Sequence, residues 1–252
     1  MTGQPLRLLL ADDPRAAGRL VADEIRAVVH STVGCRLGLA TGSTPRPAYR
    51  ELLRARAEDH DAFDDVTALL LDEYVGLDPD DPRSYRATIR SELTDGLAIP
   101  PERVLGPDAT ADPRSACAAY EATVSAGGVD LQLLGIGRNG HIGFNEPGTP
   151  FDSLTHVVDL SPTTRADNAR FFDRPEDVPT RAITQGIGTI LRARRLLLAA
   201  TGAAKATAVA AAIEGPVGPD CPASAIRRHP DVTVVLDRAA AAALSPSVRS
   251  AR

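Results

Sequence analysis

The sequence predicts an α/β protein built on a single doubly wound, mostly parallel sheet flanked by helices. Three observations carry that expectation. Short, almost wholly apolar runs recur along the chain, as strands buried on both faces do. Amphipathic helical segments alternate with them. Several runs end in loops of glycine, hydroxyl and carboxylate residues, which an open sheet gathers along the carboxyl edge of its strands.

In chain order, Leu6 to Leu10 reads as a strand and Pro14 to about His30 as a helix, with Leu20, Val21, Ile25, Val28 and Val29 at helical spacing. Cys35 to Ala40 is a second strand, which runs through Thr41-Gly42-Ser43-Thr44-Pro45 into a helix from Arg46 to about Ala57. Val66 to Leu71 is a third strand, ending at Asp72-Glu73-Tyr74. Asp78 to Pro82 is turn-rich and Arg83 to Leu93 reads as helix. A connection rich in Pro and Asp leads to a helix around Ser115 to Val124, then to the apolar run Leu131 to Ile136. That run enters a glycine-rich loop carrying His141 and Glu146, which stops at Pro147. Thr155 to Leu160 is strand-like, and Pro162 to Phe172 has proline near a helix start. Ile183 to Ala193 reads as helix, Leu196 to Thr201 as strand, Ala203 to Ile213 as an alanine-rich helix, and Val232 to Leu236 as a last strand. With no repeat and no linker, residues 1–252 read as one domain.

At 252 residues and 43% hydrophobic content the chain can bury a full core. A net charge of −5 with scattered basic residues gives no footprint for nucleic acid. The apolar run Leu8 to Ala11 is too short for a signal sequence or a membrane span, so a cytoplasmic protein is expected. Cys35, Cys117 and Cys221 have no paired spacing, so neither a disulfide framework nor a metal site is expected. Lys205 is the single lysine among 28 basic residues. Either it survives by chance on a solvated helix face, or it sits where a compact point charge serves and a planar guanidinium does not.

Thr41-Gly42-Ser43-Thr44-Pro45 opens a helix with backbone N–H groups, hydroxyls and a helix dipole, all suited to a phosphate. The same residues also satisfy an ordinary cap with Pro at the first position. Lys205, at the start of another helix, opposes that helix's dipole, and an anion between the two helix starts would remove the conflict. Asp72 and Glu73 end an apolar run: they are solvated or capping carboxylates, or one is a partly desolvated base with a raised pKa. His141 shares its loop with Asn139, Asn145 and Glu146, which favours a hydrogen-bonded acid/base group. Gly135-x-Gly137-x-x-Gly140 matches a dinucleotide fingerprint, but the two prolines and further glycines of His141 to Pro150 forbid the helix it needs.

With these residues in view, the chain resembles the glucosamine-6-phosphate deaminase/isomerase family over nearly its whole length. The resemblance rests on Gly38 to Pro45, Leu71 to Leu77, Leu134 to Pro147 with its Gly-His-Ile-x-Phe-Asn-Glu-Pro string, Thr164 to Phe172, Gly202 to Ala206 and Pro222 to Ala225. It implies a Rossmann-like fold of the ribose-5-phosphate isomerase/CoA-transferase kind, a lid segment around 150–185, no cofactor and no metal. It implies that His141 moves a proton at the sugar ring oxygen, that Glu146 supports the histidine, and that Asp72 carries the C2 proton to C1. Phosphate contacts map onto Ser43 and Thr44, in the loop that also holds Thr41 and Gly42, and onto Arg170 and Lys205. Asn139 stands where many members carry aspartate; an amide raises the imidazole pKa less, so the histidine is expected to be oriented more than charged. The stretch Thr155-His-Val-Val158 lacks the basic pair of allosteric hexamers. A monomer or small homo-oligomer with no activation by N-acetylglucosamine 6-phosphate is therefore expected. Two rivals are a 6-phosphogluconolactonase, which shares the fold, and a sugar-phosphate sensor without turnover.

Overall fold

The computed structural model describes residues 6–56 and 62–250, apart from the side chains of Thr163, Asp167 and Arg170. Ala57, the expected end of the second helix, lies outside the described residues. The strands are β1 (Arg7–Ala11), β2 (Arg36–Leu39), β3 (Thr67–Leu70), β4 (Asp72–Tyr74), β5 (Val104–Leu105), β6 (Leu131–Leu134), β7 (His156–Asp159), β8 (Arg181–Thr184), β9 (Leu196–Ala200) and β10 (Val232–Asp237). The α-helices are α1 (Pro14–Ser31), α2 (Arg46–Arg56), α3 (Tyr85–Ile89), α4 (Pro113–Gly127), α5 (Pro162–Asn168), α6 (Ile187–Ile190), α7 (Ala206–Ile213) and α8 (Pro246–Ser250).

Seven strands form a parallel sheet in the order β1-β10-β9-β6-β2-β3-β5. Every residue of β6, β9 and β10 is buried, which is why these strands read as continuous apolar runs. The chain leaves β2 through α2 to β3 on one side, and leaves β6 toward β9 on the other. These adjacent strands therefore send their C-terminal loops in opposite directions and leave a crevice between them, as open α/β sheets do where strand order reverses.

A three-stranded antiparallel sheet, β4-β8-β7, accompanies the parallel one. One face carries Tyr74 and Ala182 against Phe144, Leu160 and Phe172; the other packs Ile183 and Val157 against Ala116 and Cys117 of α4. The expected helix Ile183 to Ala193 is instead the end of β8, then the single turn α6, because pairing to β4 and β7 outweighs local pattern. Asp72-Glu73-Tyr74, read as the end of a strand, is a strand of this second sheet. The helix expected over Pro162 to Phe172 divides into α5 and a 3₁₀ turn, Ala169–Phe171. That expected over Arg83 to Leu93 becomes α3 and a π turn, Arg90–Thr94.

Candidate active site

The loops after β3, β2, β6 and β9, which are neighbours in the sheet, converge on one cavity. It is bordered by Thr41, Gly42, Ser43 and Thr44 from the loop after β2, by Asp72, by His141 from the loop after β6, and by Lys205 after β9. Thr41 to Thr44 border this space and lead directly into α2, so hydroxyl residues and a helix start lie beside it. Lys205 ends the 3₁₀ turn Ala203–Lys205 and stands at the N-cap of α7. The strand end before it is tied down by Asp237, whose carboxylate accepts the Gly202 N–H at 3.0 Å. Two helix starts and a lysine on one cavity make a cradle for an anion. Arg170 lies in the turn after α5, and its side chain is outside the description.

Asp72 and Glu73 have different tasks. Glu73 points away from the cavity and accepts the N–H groups of Tyr74, Tyr85 and Arg86 at 2.8, 2.9 and 2.8 Å. The last two belong to the first turn of α3, so Glu73 is a buried cap. Asp72 borders the cavity and is 7% exposed. Burial, with a smaller contribution from the charge of Glu73, pushes its carboxyl up to about 8. That is the range in which a carboxylate takes and returns a proton near neutral pH. The strand end before it is held by Tyr120 and Gln185, which both donate to the Leu70 carbonyl, at 2.5 and 3.0 Å.

On the facing wall the imidazole of His141 lies flat over Gly137, where a Cβ would come within 2.2 Å of the ring. His141 Nδ1 faces Glu146 Oε2 at 3.7 Å, an ionic separation longer than a hydrogen bond. Glu146 does not border the cavity; the histidine stands between them. Its carboxyl is held down at about 2, above all by the imidazole beside it and then by donors from Thr164 and Asn139, against the opposing effect of burial. Asn139 Nδ2 donates to Glu146 Oε2, and Asn139 Oδ1 accepts the His141 backbone N–H at 3.3 Å. The amide therefore braces Glu146 and the turn, and the two bonds use both of its functions; aspartate could not donate to the carboxylate. No helix opens at Gly140, so the glycine string is no dinucleotide site.

Four further cavity residues with polar side chains were not legible as site residues from the sequence: Tyr85, Arg138, Thr164 and Asn168. Thr164 and Asn168 belong to a stretch whose family pattern was visible, while Tyr85 is held at the site by the Glu73 cap on its N–H and by its hydroxyl bond to Tyr74. Among the described residues no group of His, Cys, Asp and Glu is placed to hold a metal ion, and no helix is long and apolar enough to cross a membrane.

The model of a family described as glucosamine-6-phosphate isomerases/6-phosphogluconolactonase matches residues 12–235. A glucosamine-6-phosphate deaminase of Cutibacterium acnes is 49% identical over 242 residues, covering 95% of this chain and 93% of the relative. One from Rhodopirellula baltica is 50% identical over 241 residues, covering 95% and 96%. Among solved structures, a monomeric glucosamine-6-phosphate deaminase superposes with a TM-score of 0.92 at 42% identity, over 94% of this chain and all of that one. A 6-phosphogluconolactonase of Trypanosoma brucei superposes with a TM-score of 0.78 at 20% identity, over 97% of this chain and 100% of that one, a likeness of fold alone.

Proposed function

The chain belongs to the glucosamine-6-phosphate isomerase/6-phosphogluconolactonase family, and from that premise we propose that it is an enzyme that isomerises and deaminates glucosamine 6-phosphate, giving fructose 6-phosphate and ammonia. The observation that carries the proposal is one cavity with an anion cradle at one end and, between its walls, a buried carboxyl near 8 opposite a carboxylate-backed imidazole. A lactonase needs no base matched to a carbon acid, and a sensor needs no base at all.

The chemistry follows from the walls. The phosphate rests on the Thr41–Thr44 loop, Lys205 and Arg170, which sets the sugar's length across the crevice. His141 moves a proton from the C1 hydroxyl to the ring oxygen, and the C1–O5 bond opens to the aldehyde. Glu146, anionic throughout the working range, stabilises the imidazolium formed on the way. Asp72, deprotonated, takes the C2 proton; the electron pair forms the C1–C2 double bond of an enolamine, and the C1 oxygen gains a proton. Asp72 then returns the proton to C1, leaving a C2 iminium. Water adds there and ammonia leaves, so one water is consumed and no electrons are exchanged. None of these steps calls for a cofactor.

The chain is proposed to act in the cytoplasm, where a phosphorylated sugar is retained, as a monomer or small homo-oligomer without activation by N-acetylglucosamine 6-phosphate. Segment 150–185, which contains β7 and α5, is proposed as the lid. A coupled assay comparing glucosamine and galactosamine 6-phosphates tests the function: ammonia and fructose 6-phosphate from the first are expected. Absence of both products, or faster hydrolysis of 6-phosphogluconolactone, would overturn it. Sigmoidal kinetics made hyperbolic by the acetylated sugar phosphate would overturn the regulatory part.

A further inference from the structure

Glu146 is held by more than its own loop. A glutamate carboxylate turns about a broad, roughly two-fold torsion. A single donor on one oxygen therefore leaves its plane free to swing. Asn139, from the same loop as His141, binds Oε2. The donor on Oε1 comes from elsewhere: Thr164 Oγ1, on α5, donates at 2.8 Å. A threonine hydroxyl has one proton, and here it is spent on Glu146. Its lone pairs accept from Ser161 Oγ at 2.9 Å, and Ser161, the N-cap of α5, accepts the Thr164 N–H at 3.1 Å. The series Ser161, Thr164, Glu146 thus has one direction, and each bond polarises the next.

At the other end of α5, Asn168 lines one cavity with Tyr74 and Tyr85, and the Tyr85 hydroxyl donates to that of Tyr74 at 3.1 Å. Tyr74 follows Asp72 on β4 by two residues. A helix of seven residues is therefore fastened at its start to the histidine side of the cavity, while its end lies beside Tyr74, two residues from Asp72.

We propose that Thr164 is a positioning residue: its hydroxyl, directed by Ser161, fixes Oε1 of Glu146 so that Oε2 stays aimed at His141, and seating of α5 thereby makes the ring-opening pair competent. The proposal rests on the assignment of His141 and Glu146 to ring opening, and it adds that the assignment's geometry depends on a helix outside their loop. Thr164 also borders the cavity. With its hydroxyl committed on both sides, however, it acts on the rate and not on substrate affinity.

The test compares Thr164→Val, Thr164→Ala, Thr164→Ser and Glu146→Gln under steady-state conditions, with inhibition by inorganic phosphate as the probe of an intact anion cradle. Removing a hydrogen bond to a charged group should lower kcat of Thr164→Val and Thr164→Ala by about 10- to 100-fold. KM and phosphate inhibition should stay within about threefold, since uniform binding is untouched. Thr164→Ser should recover to within about threefold of the parent, because the hydroxyl is what matters. Thr164→Val added to Glu146→Gln should cost little more than Glu146→Gln alone. The proposal falls if Thr164→Val keeps its kcat, raises only KM, loses more when combined with Glu146→Gln than the two effects share, or is not rescued by serine. It also falls if neither Val nor Ala folds, which would make the residue structural. Glu146→Gln separates the levels. Full activity in that variant sinks the ring-opening assignment itself, whereas its loss beside an unaffected Thr164→Val sinks only the positioning role.

Discussion

The seven-stranded and three-stranded sheets build one cavity from different kinds of parts. The parallel sheet contributes loops and helix starts: the turn Thr41–Thr44, the start of α7 with Lys205, and the loop after β6 that carries His141. Such a cradle costs the fold little, because the donors of a first helical turn lack partners anyway. The antiparallel sheet contributes a titratable group that the fold would be more stable without. Asp72 is buried beside Glu73 with its proton held up to about 8. Binding follows from topology here, whereas chemistry has to be enforced against it.

The sharpest break of that contrast is Asp72→Asn. Loss of the base should lower kcat by about 10³-fold with KM nearly unchanged, and C2 proton exchange should vanish. In the parent, kcat/KM should fall about tenfold per pH unit below about 8, because the free enzyme then carries the acid form. Stability should move the other way. The folded chain keeps the Asp72 proton up to about 8, whereas the unfolded chain releases it near about 4. The parent's stability is thus fully present below the unfolded value and is lost as pH rises through that window. Asp72→Asn, which never ionises, should melt higher than the parent by a margin that grows from pH 5 to 8 and then levels. A margin that does not depend on pH would mean that Asp72 is not held protonated by the fold.

The next largest effect concerns how the small sheet is seated. A Cβ on Gly186, between β8 and α6, would lie 2.2 Å from the carbonyl oxygens of both Ser153 and Leu154. Backbone cannot yield as a side-chain tip can, so Gly186→Ala should cost about 2–3 kcal/mol in denaturant unfolding. An unchanged midpoint would mean that the 153–154 turn is not fixed against β8. Lys205→Ala, on the parallel side, should raise KM by about 10- to 30-fold, with kcat within about threefold, since phosphate is held alike in ground and transition states. A fall in kcat alone would remove Lys205 from the phosphate cradle.

The same division explains what could be read from sequence. The buried parallel strands are largely apolar, and their loops announce themselves by glycine, hydroxyls and the single lysine, so the crevice and its main polar loops were legible. Family motifs then assigned Asp72, His141 and Glu146. Of the small sheet only β7 was legible, as Thr155 to Leu160; β4 and β8 were not, because they have three and four residues. Arg181-Ala-Ile-Thr184, followed by Gln-Gly-Ile-Gly-Thr-Ile190, gives apolar spacings that suit a helix as well as a strand. Only pairing with β4 and β7, from residues far away in sequence, decides it. Asn139 was expected to orient the histidine, and its actual task on Glu146 depends on a rotamer that no sequence pattern encodes.

The smallest effect asks whether the small sheet holds Asp72 through its backbone or through its side chains. Thr184 on β8 lies opposite Asp72 and is fully buried; its hydroxyl accepts the Phe144 N–H at 3.1 Å and donates to the Gln185 carbonyl at 3.3 Å. Valine keeps the shape and the β-branch but leaves the Phe144 N–H without that acceptor. The cost should be about 1–2 kcal/mol, read as a melting temperature about 3–6 °C lower. Because β4 pairs with β8 through main-chain bonds, Asp72 should stay in place and kcat should remain within about threefold. If kcat instead fell a hundredfold while the melting temperature held, the Thr184 hydroxyl would be setting the path between Phe144 and the base. The contrast between loops that follow from topology and a carboxyl buried against its own ionisation would then extend one layer deeper, into β8 itself.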